Sequence, residues 1–223
     1  GRPVKDTFAV AHPSLEEKIW WKPDLQKFDP QKFQPLLDRV VAHLNERKAN
    51  LYVKDVYCGT DPSYAVPYRF VGEYATHAMF VHNMFPKGIE GIADEADKRW
   101  TLLNVPSFHA DPEIDGTLSQ RAVIVDFERR VFLVVGRADY CGVNKKGMFT
   151  VMNWLLPEAG EMSMHCSANV GERGDGCGVI DNSVAGEVEQ YAPLAHVLEP
   201  VRIDHVPRLV SERNVKADEV GAR

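Results

Sequence analysis

The chain has 223 residues, 44% hydrophobic, 26% charged and 9% aromatic, the balance of an ordinary globular protein of one or two domains. Its 26 Lys+Arg against 32 Asp+Glu give a net charge of −6, so it lacks the basic excess of a typical nucleic-acid binder. No run approaches the roughly 18 apolar residues of a membrane-crossing helix, so no membrane partner is expected.

The start, Gly1-Arg2-Pro3-Val4-Lys5-Asp6, is not a signal peptide, and it lacks an initiator Met, as a fragment or processed product would. Cys58, Cys141, Cys166 and Cys177 form no CxxC pair, which argues against a zinc ribbon or a disulfide framework. A reducing, cytoplasmic setting is the expectation.

Asp29-Pro30 has the form of a helix N-cap followed by Pro at the first helical position. From Gln31 to Lys48, Phe33, Leu36, Leu37, Val40, Val41 and Leu44 recur at helical spacing, predicting an amphipathic helix. Residues 51–57 alternate and are rich in β formers, predicting a strand that turns at Cys58-Gly59-Thr60-Asp61-Pro62. Residues 68–71 predict a second strand. Residues 73–84 predict a helix with Tyr74, Ala78, Val81 and Phe85 near one face. A polar loop over 87–99 leads to a strand at 100–105, stopped by Pro106. After a turn-rich loop over 108–116, the apolar runs 121–127 and 130–135 predict a hairpin across Glu128-Arg129. A polar loop is expected over 139–146, a helix over 147–156 stopped by Pro157, and a short strand over 162–166. A glycine cluster follows at 171–178; beyond it, 184–191 predicts a short helix and 211–223 a frayed end. Strands and helices interspersed in this way predict an α/β fold, a mixed sheet with flanking helices.

Two segments could carry chemistry. In Tyr140-Cys141-Gly142-Val143-Asn144-Lys145-Lys146-Gly147, adjacent lysines and a tyrosine open a helix. Helix N-termini favour anions, and lysines there strengthen such a site. The same lysines also suit a solvated charged loop. In Met164-His165-Cys166-Ser167, His165 suits a metal ligand, an acid–base group or a hydrogen-bonded core histidine. Cys166 is a nucleophile only with a base beside it, and otherwise a buried thiol. No stretch matches the phosphate-loop pattern GxxxxGK[ST] or a dinucleotide GxGxxG after a strand. His12, His43, His77, His82 and His109 show no HxxxH or HExxH spacing.

Read together, residues 145–157, Lys-Lys-Gly-Met-Phe-Thr-Val-Met-Asn-Trp-Leu-Leu-Pro, resemble the signature helix of the ATP-dependent phosphoenolpyruvate carboxykinases. Residues 164–171 resemble the segment leading into that family's nucleotide loop, and residues 1–8 resemble its GRSPKDKF element. Residues 51–62 and Asn83-Met84-Phe85 also match, so the likeness runs in order from Gly1 to about Asp175. The resemblance implies the fold of that family's N-terminal, substrate-binding domain. It implies the conversion of oxaloacetate and ATP to phosphoenolpyruvate, ADP and CO2 in gluconeogenesis, with Mn2+ and Mg2+ as cofactors. It assigns Arg2 to the substrate carboxylate or departing CO2, and Tyr140 to the substrate edge. Lys146 becomes a catalytic, substrate-facing and Mn2+-ligating residue, His165 a second Mn2+ ligand facing the γ-phosphate, and Lys145 a phosphate neighbour.

The sequence also departs from that pattern. The family continues past the equivalent of Asp175 with an apolar strand and GLSGTGKT, whereas this chain reads Gly176-Cys177-Gly178-Val179-Ile180-Asp181. Val143 stands where the family has an acidic residue, and residues 176–223 match nothing in it. The expectation is a substrate domain over 1–175 and an irregular tail over 176–223. The chain is expected to be inactive alone, and to self-associate through an exposed lobe face. The alternative is a non-catalytic carboxylate-binding module.

Overall fold

The computed structural model describes residues 4–19, 21, 25–48, 50–90, 92, 98–136, 140–163, 166–170 and 176–180. The chain divides into two units, Gly1–Gly160 and Glu161–Arg223.

The first unit begins with β1 (Thr7–Val10) and β2 (Gln26–Phe28). Helix α1 (Pro30–Arg47) starts as the sequence predicts: Asp29 is extended and its Oδ1 accepts the Gln31 N–H at 2.8 Å. Phe33, Leu36, Val40 and Leu44 are buried. Val41, counted with that face from the sequence, is 45% exposed, because its turn of the helix points away from the sheet. Strands β3 (Tyr52–Cys58) and β4 (Val66–Gly72) form an antiparallel hairpin, followed by α2 (Ala75–Met84). Tyr74 caps α2 from outside and is exposed rather than packed with Ala78 and Val81. Strand β5 (Trp100–Val105) falls where predicted. The 108–116 loop contains one helical turn, α3 (Pro112–Asp115). Strands β6 (Ala122–Asp126) and β7 (Val131–Val135) form the expected hairpin.

Helix α4 runs from Gly142 to Glu158, five residues earlier than predicted. The expected loop at 139–146 is therefore helical from Gly142 onward. Pro157 does not stop the helix, because it sits in the last turn and removes only one donor there.

The seven strands form one mixed sheet in the order β2-β1-β6-β7-β5-β4-β3. Strands β4, β5 and β7 run parallel, as do β2, β1 and β6, and the two groups meet antiparallel at β6–β7. Period-2 alternation divides the core. Phe8, Val10, Ile124, Leu133 and Val135 pack with α1 on one face. Ala9, Val123, Val125, Phe132 and Val134 pack with α2 and α4 on the other. This is the α/β fold with a mixed sheet and flanking helices that the sequence predicts.

In the second unit, β8 (Cys166–Val170) and β9 (Gly176–Ile180) pair antiparallel. The strand expected at 162–166 thus begins only at Cys166, and Ser163 lies outside it. Gly176–Ile180, expected in the irregular tail, is a strand. The helix read at 184–191 and the frayed end at 211–223 lie outside the described residues.

Candidate functional site

The sheet register gathers several chain segments at one end. Thr7 pairs with Val123, and Val123 with Val134, so β1 and β6 begin where β7 ends. The chain leaves β7 through Gly136 and re-enters the described residues at Tyr140, immediately before α4.

Helix α4 owes its seat to two glycines and a buried stripe. Val143, Asn144, Gly147, Met148, Val151 and Met152 are buried, which is the spacing of one helical face. A Cβ on Gly147 would stand 2.5 Å from the Phe132 ring, so glycine lets the helix approach β7. A Cβ on Gly142 would meet the Tyr140 ring and hydroxyl at 2.3–2.6 Å, so the ring lies over the first helical residue. Cys141 provides no side-chain cap, and the Val143 and Asn144 N–H groups donate to the Tyr140 and Cys141 carbonyls at 3.1 and 3.2 Å.

Lys145 and Lys146 occur in the second turn, on the half-buried side opposite the stripe. Lys145 Nζ lies 5.4 Å from the Phe149 ring centroid, one turn further on. Burial lowers the Lys145 pKa, and the neighbouring Lys146 charge lowers it further, while Cys58 opposes both. Burial in turn pushes the Cys58 thiol up to about 12, against the pull of the Lys145 ammonium. Thr150 Oγ1 donates to the Lys146 carbonyl at 3.0 Å. Tyr140 is 46% exposed. Two lysines and a tyrosine thus belong to the start of one helix, residue types that suit a small anion bearing carboxylate or phosphate.

Of the residues singled out from the sequence, Tyr140, Lys145 and Lys146 come together at the start of α4. Arg2 and His165 lie outside the described residues. Among the described residues, no group of three His, Cys, Asp or Glu side chains is placed to hold a metal ion, and no helix is long and apolar enough to cross a membrane.

Three polar features escaped the sequence reading. His109, Gln120, Arg121 and Gly136 line an open depression of about 230 Å3 at this end of the sheet. Ser107 donates to Glu73 Oε1 at 2.6 Å and lies 2.9 Å from His43 Nε2. His77, Asn104 and Asn144 form a buried knot beneath α4. Each joins residues far apart in the chain, so no local spacing could announce it.

A seven-stranded mixed sheet with helices on both faces defines the first unit as an α/β protein. The sequence model of the phosphoenolpyruvate carboxykinase family matches residues 1–180, and the chain belongs to that family. It is 41% identical over 175 residues to the ATP-type phosphoenolpyruvate carboxykinase of Deinococcus radiodurans, covering 78% of this chain and 37% of that protein. It is 45% identical over 180 residues to the enzyme of the same name from Thermus thermophilus, covering 78% and 33%. The Bacillus cytotoxicus enzyme of that name is 43% identical over 175 residues, covering 78% and 33%. The chain thus spans about a third of the length of the curated relatives it matches.

Proposed function

We propose that the first 180 residues carry the substrate-facing part of an ATP-dependent phosphoenolpyruvate carboxykinase. The observation that carries this reading is the lysine pair and Tyr140 at the start of α4, in a chain of that family. The family reaction is a carboxy-lyase step followed by phosphoryl transfer. Oxaloacetate loses CO2 by cleavage of the bond between its CH2 carbon and the carboxylate on it, and the electron pair moves onto the adjacent ketone to give an enolate. The enolate oxygen then attacks the γ-phosphorus of ATP, the bond to the β-phosphate oxygen breaks, and phosphoenolpyruvate and ADP result. Negative charge develops on the enolate and on the phosphoryl oxygens, and preorganised cations stabilise it.

In this reading the Lys146 amine faces the enolate oxygen and Lys145 the phosphates. Arg2 holds a carboxylate through its planar fork, and Tyr140 packs at the substrate edge. Thr7, five residues after Arg2, starts its strand at the sheet end where β7 leaves toward Tyr140, which supports a shared site. ATP, Mn2+ and Mg2+ enter as cofactors by family. Lys146 and His165 are the proposed Mn2+ ligands. Lys146 alone among the described residues does not make a metal site, and a lysine ligates only as the neutral amine. No step here is therefore routed through a metal. A cytoplasmic setting belongs to the same proposal. Self-association would use an exposed apolar edge; Leu51, Tyr52 and Val53 at β3 supply one.

Phosphoryl transfer needs a phosphate cradle, and the 223 residues contain no GxxxxGK[ST] stretch. The chain by itself therefore binds the carboxylate substrate without turning it over. A coupled assay with oxaloacetate, ATP, Mn2+ and Mg2+ tests this. The expected result is no phosphoenolpyruvate above the uncatalysed rate. Robust turnover abolished by Lys146→Ala would overturn the inactivity and move the catalytic assignment onto this chain.

A further inference from the structure

The core between α2, α4 and the sheet is built mainly from apolar side chains such as Val81, Leu102, Val134, Val143 and Met148. Three polar side chains interrupt it: His77 on α2, Asn104 on β5 and Asn144 on α4, which are 1%, 1% and 0% exposed. Asn104 Nδ2 donates to Asn144 Oδ1 at 2.8 Å and lies 2.8 Å from His77 Nδ1. Asn144 Nδ2 lies 3.4 Å from the same nitrogen. Both amides thus meet the imidazole at the same ring nitrogen.

Such a knot is a demanding way to fill space. A buried polar group left unpaired is costly, so each of the three holds the others in place. Apolar packing makes no comparable demand, because it is non-directional. Against an apolar surface alone, only the fit of shapes, with Gly147 against the Phe132 ring, would set where α4 sits. A one-residue change of register moves Asn144 about 1.5 Å along the axis and turns it by about 100°, which carries its amide away from both partners. The knot ties α4 to one β-strand and one helix at once, and Lys145 and Lys146 directly follow Asn144 in the chain.

We infer that the His77–Asn104–Asn144 knot is a register lock for α4, a positioning device that sets where the Lys145 and Lys146 amines stand. The lock rests on the proposed function only for what those amines meet. The knot residues lie beneath the helix rather than on its lysine-bearing side.

The test compares the wild-type chain with Asn144→Leu and with the triple variant His77→Leu/Asn104→Leu/Asn144→Leu. The triple variant removes the hydrogen bonds among the three side chains together, so that none of the three is left facing a lost partner within the knot. Three quantities are read: the melting temperature, the NMR signals of 13C-dimethylated Lys145 and Lys146, and the calorimetric affinity for phosphoenolpyruvate. The lock predicts that the triple variant melts at or above the wild-type temperature. Its Lys145 and Lys146 signals shift or split, and its affinity falls at least tenfold. Asn144→Leu alone should show the same lysine signals with a lower melting temperature. Unchanged lysine signals in whichever variant folds would overturn the inference, whatever the melting temperature does. If wild-type chain binds no phosphoenolpyruvate, the proposed function fails, and the lysine signals still decide the lock.

Discussion

At Gly142 the space of a side chain is already filled by the Tyr140 ring. Gly142→Ala should swing that ring aside, because the ring is the end of a movable side chain. Stability should change by only about 0.5 kcal/mol, the usual size at a partly exposed position. Phosphoenolpyruvate affinity should fall severalfold if Tyr140 packs at the substrate edge, and paired melting and calorimetry measure both. Cys58 makes a separate prediction. Its thiol titrates at about 12 in the folded chain against about 9 for an ordinary thiol, chiefly because it is buried. Between those pH values the unfolded chain has lost a proton that the folded chain keeps, so stability falls as pH rises. Below pH 9 both states hold the proton, and this loss is absent. Urea unfolding at pH 8 and pH 10.5 should show a smaller alkaline loss for Cys58→Ala than for wild type.

Among the elements, α1 and α4 show what a local pattern can and cannot announce. Helix α1 was legible because its start rests on neighbouring residues: Asp29 caps Gln31, and Pro30 presets the first turn. Asp29→Ala should destabilise the chain by about 0.5–2 kcal/mol in equilibrium unfolding. Helix α4 was legible only from Gly147 onward. Its first buried positions include Asn144 and Gly147, which do not read as core, and its half-buried positions include two adjacent lysines. The polar content that suggested a loop is the helix's working end, with its buried amide satisfied by β5 and α2. Gly147 acts on the other side of the same helix. Gly147→Ala would push a methyl into the Phe132 ring and should cost about 1–3 kcal/mol, read from the urea midpoint at constant slope.

For the whole molecule, the fold class followed from interspersed strand and helix patterns, whereas the strand order did not. Strand β1 joins β6 across more than a hundred residues, and nothing in residues 7–10 names that partner. The same non-local pairing brings the start of β1 to the sheet end that leads into Tyr140. The sequence reading reached the lysine pair and Tyr140 through their motif, and it missed the knot below them because its members come from three separate elements. Arg2 and His165, read from the same resemblance, lie outside the described residues. The central claim is that the α4 lysines form an anion site for the carboxykinase substrate. Its most direct test is a calorimetric titration of phosphoenolpyruvate into the 223-residue chain and its Lys146→Ala variant. Saturable binding in wild type, weakened at least tenfold in the variant, is the predicted result. Equal affinity in the two chains, or no binding by wild type at millimolar ligand, would contradict it.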